Sequence, residues 1–305
     1  MSRPAIEQLE ALARSDPSVA VLARLQLAAL HAAGSDEWDE AVPEVGPWDA
    51  REGVPVLHET TFVIDAQRAG RLLMELAGTA ASDAPEQAER VRGALAGARG
   101  NGSDRTALDP LRLLQASIAL DTEALEGIAG AADVDPAFLT ALGQIAALPL
   151  LQACGREART LLTQGAWSEG SCPVCAGWPA LAELRGLERQ RWLRCGRCGS
   201  AWRYALQRCV FCANSDHRTL GYLAPEGDPE SRQALTCDLC HAYLKTVATL
   251  AALDPLEVAV RDLTTIELDV AALENGYARP PRPGFPLRVQ VIPAPRRNGW
   301  LRWRR

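Results

Sequence analysis

The chain has 305 residues, and its formal net charge of −6 comes from 32 Lys and Arg against 38 Asp and Glu. With 48% hydrophobic and 23% charged residues it is globular in composition, which excludes a largely disordered chain. A chain this long buries a sizeable core unaided, so any metal serves a local module or a function. The charge is uneven: residues 1–167 carry −11, 168–250 carry +2, 251–278 carry −5 and 279–305 carry +8. An acidic body with one short basic tail argues against nucleic acid as a partner, and the tail reads as solvated. The opening MSRPAIEQLE is polar and carries no secretory signal, which predicts a cytoplasmic protein without a membrane span. Pro136 to Gly155 is uncharged and long enough to cross a bilayer. Thr140, Gln144, Pro149 and Gln152 interrupt it, and it reads as a buried core helix.

Residues 1–166 read as an all-helical domain. Asp16-Pro17 predicts an N-cap followed by proline at the first helical position, and VAVLARLQLAAL carries that helix to Gly34. The acidic stretch 35–58 holds Pro43, Pro47 and Pro55 and reads as an irregular connection. Helical periodicity resumes at Asp65, with Leu72, Leu73 and Leu76 on one face and Arg71 and Glu75 on the other. A helix after Asp83-Ala-Pro85 ends in the glycine-rich loop GARGNGSD. Three more segments fill 106–164, broken near Asp109-Pro110, Gly130 and Asp135-Pro136. The texture changes at about residue 167. Between Trp167 and Leu250 lie eight of the nine cysteines, four of the eight tryptophans and short apolar runs. Two small strand-and-knuckle lobes are predicted there, at 167–206 and 207–252. Asp254-Pro255 opens a C-terminal helix within 253–278, with Gly276 as its stop. The tail 279–305, rich in Pro and Arg, reads as extended.

The cysteines form four pairs, each with two intervening residues: Cys172 and Cys175, Cys195 and Cys198, Cys209 and Cys212, Cys237 and Cys240. Nineteen residues separate the first two pairs, ten the middle pairs and twenty-four the last two, so the pattern is a tandem repeat. A two-residue gap lets a tight turn aim both sulfurs at one ion, and a second knuckle closes a tetrahedron with metal–sulfur bonds of about 2.3 Å. Gly177, Gly196 and Gly199 beside the knuckles suit such turns. Structural disulfides do not fit a reducing compartment, and redox pairs belong on a strand–helix motif. The spacing accepts zinc or a single iron. Either divalent ion would give each site a charge of about −2, which Arg191, Arg194, Arg197, Arg203 and Arg208 are expected to offset. Cys154, in the apolar helical run, reads as a plain buried thiol. His217 and His241 adjoin knuckles but are surplus to four thiolates, and His31 and His58 have no nucleophile partner. The sequence has no nucleophile elbow, phosphate loop or dinucleotide fingerprint. A closed four-thiolate site leaves no position for substrate, so no enzyme is expected.

These residues resemble one family. CPVC at Cys172, RWLRCGRCGSAWRY ending at Tyr204, RCVFC ending at Cys212, TCDLCHAYLKTV from Thr236 and DPLEVAVRDLTTIELD from Asp254 are similar to FdhE, the formate dehydrogenase accessory protein. The likeness covers about residues 168–278. It implies a multi-domain α plus small β architecture. An all-helical N-terminal domain precedes two tandem rubredoxin-like (zinc-ribbon-like) metal lobes and a C-terminal helix. It implies iron at two sites of four cysteines each, with zinc as the alternative, and all eight knuckle cysteines as ligands. The implied role is a cytoplasmic assembly factor that binds the catalytic subunit of respiratory formate dehydrogenase; a homodimer is the oligomer considered for the chain. The contact is expected on the lobes, at Trp178, Trp192, Trp202, Arg191 and Arg197. Ala176 and His241 stand where the family often has glycine, and the tail after Pro283 does not match the family's ending. Two other readings stay open: a tandem zinc-ribbon module for nucleic acid or protein, and a thiol redox enzyme.

Overall fold

The computed structural model describes residues 3–34, 36–97, 107–162 and 167–295. Most of the GARGNGSD loop and the terminal GWLRWRR lie outside these residues. The N-terminal half is built from α1 (Arg3–Ser15), α2 (Ala20–Ala33), α3 (Ala66–Ala80), α4 (Pro85–Gly97), α5 (Pro110–Ala119), α6 (Thr122–Ala132), α7 (Pro136–Ala146), α8 (Leu148–Glu157) and the single turn α9 (Arg159–Leu162). Aspartate caps explain most starts. Asp65, Asp109, Asp121 and Asp135 each accept a hydrogen bond from an amide in the first turn, and Pro110 and Pro136 follow as the first helical residue. Asp16-Pro17 behaves differently from the sequence reading: Asp16 caps a turn through the Ser18 amide, and α2 starts three residues after Pro17. The apolar stretch Pro136–Glu157 is two helices meeting at Ala147, with 67% of its most apolar window buried inside the protein.

One strand interrupts the helices. β1 (Thr60–Ile64) pairs in parallel with β8 (Val289–Pro293), Thr60 opposite Val289. The tail up to residue 295 is therefore fastened to the body, contrary to the expected solvated tail. The Trp178 indole donates to the Arg282 carbonyl at 2.7 Å, Phe285 meets His58 edge-on at 4.9 Å, and Leu287 and Val289 are buried.

Between β1 and β8 in the sequence lie β2 (Leu181–Arg185), β3 (Gln190–Arg194), β4 (Ala201–Arg203), β5 (Leu220–Leu223), β6 (Arg232–Cys237) and β7 (Ala242–Thr249). They form one sheet in the order β4-β3-β2-β7-β6-β5. The two lobes are thus joined edge to edge: β2 and β7 run parallel, Leu181 opposite Lys245, and the other pairs are antiparallel.

Where the sequence reads as one C-terminal helix there are two, α10 (Pro255–Leu263) and α11 (Ile266–Glu274). Asp254 and Glu257 form a capping box at the start of α10. The break falls at Thr264-Thr265, whose hydroxyls donate to the carbonyls of Val260 and Arg261 at 2.9 and 2.7 Å and compete with the helical ladder. Each helix then serves a different neighbour. Leu256 and Val260 of α10 pack on Ala5, Leu9 and Leu30, whereas Leu268 and Ala272 of α11 pack on Ala234 and Tyr243 of the second lobe. Buried charges tie both helices to the sheet. Lys245, only 1% exposed, lies 2.7 Å from an Asp262 carboxylate oxygen and 2.6 Å from Asp269, and Tyr243 donates to Asp269 at 2.7 Å.

Candidate metal centres

All four knuckles adopt one backbone pattern. The amide after each of the first three donates to the carbonyl of its first cysteine: Ala176 to Cys172 at 3.0 Å, Gly199 to Cys195 at 3.1 Å and Ala213 to Cys209 at 3.1 Å. The first cysteine's own amide donates forward, Cys172 to Gly177, Cys195 to Ser200 and Cys209 to Asn214, at 2.8, 3.0 and 2.7 Å. In the fourth knuckle Cys237 faces Ala242 across the β6–β7 hairpin. Closing these loops requires left-handed backbone at the residue after the second cysteine. Ala176, Gly199, Ala213 and His241 have φ of 61°, 73°, 60° and 52°. Of the three glycines expected to ease the turns, only Gly199 is left-handed.

The fold brings the eight cysteines into the two expected groups. Cys172, Cys175, Cys195 and Cys198 form one, and Cys209, Cys212, Cys237 and Cys240 the other, each with its sulfurs within 4.8 Å of one another. All nine cysteines are free thiols. Nearest sulfur pairs are 3.4 Å apart in the first group, and 3.7 and 3.8 Å in the second. A tetrahedron with bonds of about 2.3 Å has edges of about 3.8 Å. These distances exceed a disulfide and match a tetrathiolate site, so the donor set and its geometry fit one tetrahedral ion per group. When bound, such an ion would supply charge and cross-linking, and the amides that donate to sulfur would hold the thiolates in place.

The surroundings of the two groups differ. The first is enclosed. Its sulfur-bearing residues belong to the main core, and α8 lies directly on it: a Cβ at Gly155 would come within 1.9 Å of the Cys198 carbonyl oxygen. The carbonyls of Pro173 and Val174 accept from the amides of Val56 and Leu57 at 2.8 and 3.1 Å. Burial pushes the Cys172 and Cys198 thiols up, while hydrogen bonds from the other three thiols, Cys172 first, draw Cys175 down. The second group lies nearer the surface, with Cys212 exposed and Cys240 half-buried. Burial pushes Cys209 up to about 11. Burial also pushes Cys237 up, but donation from the Cys240 amide, the Asn214 side chain and the Leu239 amide brings it down to about 7.

Other candidates fall elsewhere. Cys154 is buried with its thiol pushed up to about 12 by burial, and belongs to neither group. His217 and His241 are exposed, and neither belongs to a group. Of the arginines expected to offset the thiolates, Arg197 lies at the first group. After the hydrogen bonds from Cys172 and the other thiols, its charge also draws Cys175 down, and its guanidinium reaches the Cys175 carbonyl at 3.5 Å. Arg194 and Arg191 are engaged elsewhere. Arg194 pairs with buried Glu183, Arg191 donates to the carbonyls of Ala205 and Arg208, and Arg197 donates to the Ser117 carbonyl at 2.6 Å. Trp202 and Arg191 are buried, which removes them from the expected contact surface, whereas Trp178 and Trp192 are half-buried. Sequence reasoning missed Gly155 and Ser200, the latter with its hydroxyl 3.1 Å from the Cys198 sulfur. No local motif marks either one. It also missed a cleft of about 980 Å³ between α8 and the first lobe, lined by Trp48, Arg159, Trp192 and Arg203 among others.

Fold and site together define a helical protein carrying tandem four-cysteine lobes on one shared sheet. Residues 207–283 match the family model described as FdhE, C-terminal domain. A protein named Protein FdhE homolog from Aquifex aeolicus is 29% identical over 117 residues, 37% of this chain and 40% of that protein. Another of the same name from Erwinia tasmaniensis is 30% identical over 109 residues, 35% of this chain and 34% of that protein. The chain thus aligns with well under half the length of these curated relatives. The FdhE protein from Pseudomonas aeruginosa, solved as a crystal structure, shares the fold with a TM-score of 0.50 and 23% identity, covering 93% of this chain and 94% of that one. Over part of its length the chain is thus similar to FdhE proteins, and it shares the fold of the solved one.

Proposed function

We propose that this protein is a cytoplasmic accessory factor for formate dehydrogenase. In this reading it binds the catalytic subunit during assembly and does not itself oxidise formate. The observation that carries the reading is the pair of four-cysteine groups on one sheet, the second inside the segment that matches the FdhE C-terminal domain. The eight cysteines hold two ions, and iron is the metal proposed. The client meets the lobes, and the second lobe offers the apolar contacts: Tyr222 and Leu239 are exposed, with Leu206 exposed at the end of the first lobe, a composition that suits a protein interface.

Co-purification tests the reading. The wild-type chain is expected to retain the catalytic subunit, and Leu239→Asp with Tyr222→Asp to retain less. Deleting the protein is expected to abolish formate dehydrogenase activity in the host. Unchanged activity in the deletion strain, or formate oxidation by the purified protein, overturns the proposal. Metal analysis with an absorption spectrum separates ferric thiolate, which is coloured, from zinc, which is not.

A further inference from the structure

We propose that the two centres have different roles, the first architectural and the second an open site that takes up and releases its ion while the protein stays folded. The assignment rests on the reading that each four-cysteine group holds a metal, and it concerns what each group's surroundings permit.

Ligand exchange at a closed tetrahedral ion begins when an incoming donor reaches the ion or when one thiolate swings away. Both need space beside a sulfur. At the first centre that space is scarce: the cleft beside α8 is lined by Cys198 alone of the four, and Cys198 is 3% exposed. Its four cysteines are at most 3% exposed, and Gly155 of α8 touches the Cys198 backbone. The knuckle chain at Pro173 and Val174 is hydrogen-bonded to Val56 and Leu57. All four cysteines are counted in the main core with α5, α7 and α8, so releasing this ion means parting that core.

The second centre is locked on one side only, where Val210, between Cys209 and Cys212, belongs to the main core and a Cβ at Gly170 would meet its carbonyl oxygen at 1.8 Å. Its cysteines lie outside the main core, and the small core beside it consists of Ala234, Tyr243, Leu268 and Ala272. Cys212 is exposed, Cys240 is half-buried, and Leu239 inside the fourth knuckle is 66% exposed. A pocket of about 280 Å³, lined by Phe211, Leu220, Tyr222 and Leu235, also reaches Cys209 and Cys237. A soft sulfur donor, a small thiol or a thiolate on a carrier, fits both approaches. Each departing thiolate is replaced by an incoming one or takes up a proton, and no electron changes hands.

The test uses the full chain loaded with two equivalents of zinc and challenged with the chromogenic chelator pyridylazoresorcinol. One ion is expected to leave in a fast phase. The other should leave roughly a hundredfold more slowly, as global opening requires, or only on adding denaturant. Cys212→Ser is expected to remove the fast phase and leave the slow ion. Iodoacetamide on the metal-free protein, read by mass spectrometry, is expected to modify Cys212 and Cys240 before any first-group cysteine, and needs no variant. Release of both ions in one phase, loss of the slow ion from Cys212→Ser, or first alkylation at Cys172–Cys198 overturns the assignment. Uptake of fewer than two ions by wild type overturns the metal reading itself, a failure distinguishable from unequal release.

Discussion

At the position after each knuckle the backbone turns left-handed, a conformation that costs an L-residue about 1 kcal/mol. Ala176, Ala213 and His241 carry that cost, and Gly199 does not. Gly199 is also closely packed: a Cβ there would lie 2.8 Å from Pro255 Cβ at the start of α10. Gly199→Ala is expected to destabilise the protein by about 2 kcal/mol, strain and clash together, read as a lower denaturant midpoint at unchanged slope. Glu183 has a larger effect. Its side chain is fully buried, held by Arg185 at 2.8 Å and by Arg194, and it accepts from the Leu253 amide at 3.1 Å. Burial pushes its carboxyl up, yet the Arg185 hydrogen bond, the Arg194 charge and the Leu253 amide together hold it below the usual carboxylate range. Glu183→Gln leaves Arg194 buried without its counter-charge and should cost about 3–5 kcal/mol at neutral pH. Because the folded carboxyl is depressed, this stability is present above the unfolded value of about 4.3 and is lost as pH falls through the folded value. The gap between wild type and variant should therefore narrow in urea titrations run below about pH 4.

Among the elements, the β1–β8 pair makes the tail structural. Leu287 and Val289 bury their side chains on the helical body, and Glu59 donates its amide to the Arg288 carbonyl at 2.7 Å. Leu287→Ala is expected to lower stability by about 2–4 kcal/mol, measured by thermal melting of helical circular dichroism. A solvated tail would leave the melt unchanged. This pairing also marks where sequence reading ends. The caps at Asp65, Asp109 and Asp135 and the four cysteine pairs are legible because their causes lie within a few residues. TTFVI and VQVIP are each short β-prone runs, but their partners are 229 residues apart, and no local spacing records the match. The parallel join of β2 to β7 is invisible for the same reason, so two lobes read from spacing become one sheet in space.

For the molecule as a whole, the sequence suggests that residues 1–165 fold independently of the knuckles. The structure divides that expectation by centre. The first centre is packed into the helical core, so Cys172→Ser with Cys175→Ser should lower the helical melting temperature by about five degrees, the effect of about 3 kcal/mol in a chain of this size. Cys209→Ser with Cys212→Ser should leave the same transition nearly in place while one ion is lost. Equal effects from the two pairs would show that the sheet transmits the second centre's loss to the body through β2 and β7.

Lys245 is the chain's only lysine, and it is enclosed by Asp262 and Asp269 beneath α10 and α11. The folded surface therefore presents no lysine amine at all. Acetyl transfer, ubiquitin attachment and amine-directed cross-linkers have no side chain to reach until the C-terminal helices lift, so modification of Lys245 by a succinimidyl ester would report unfolding of that corner.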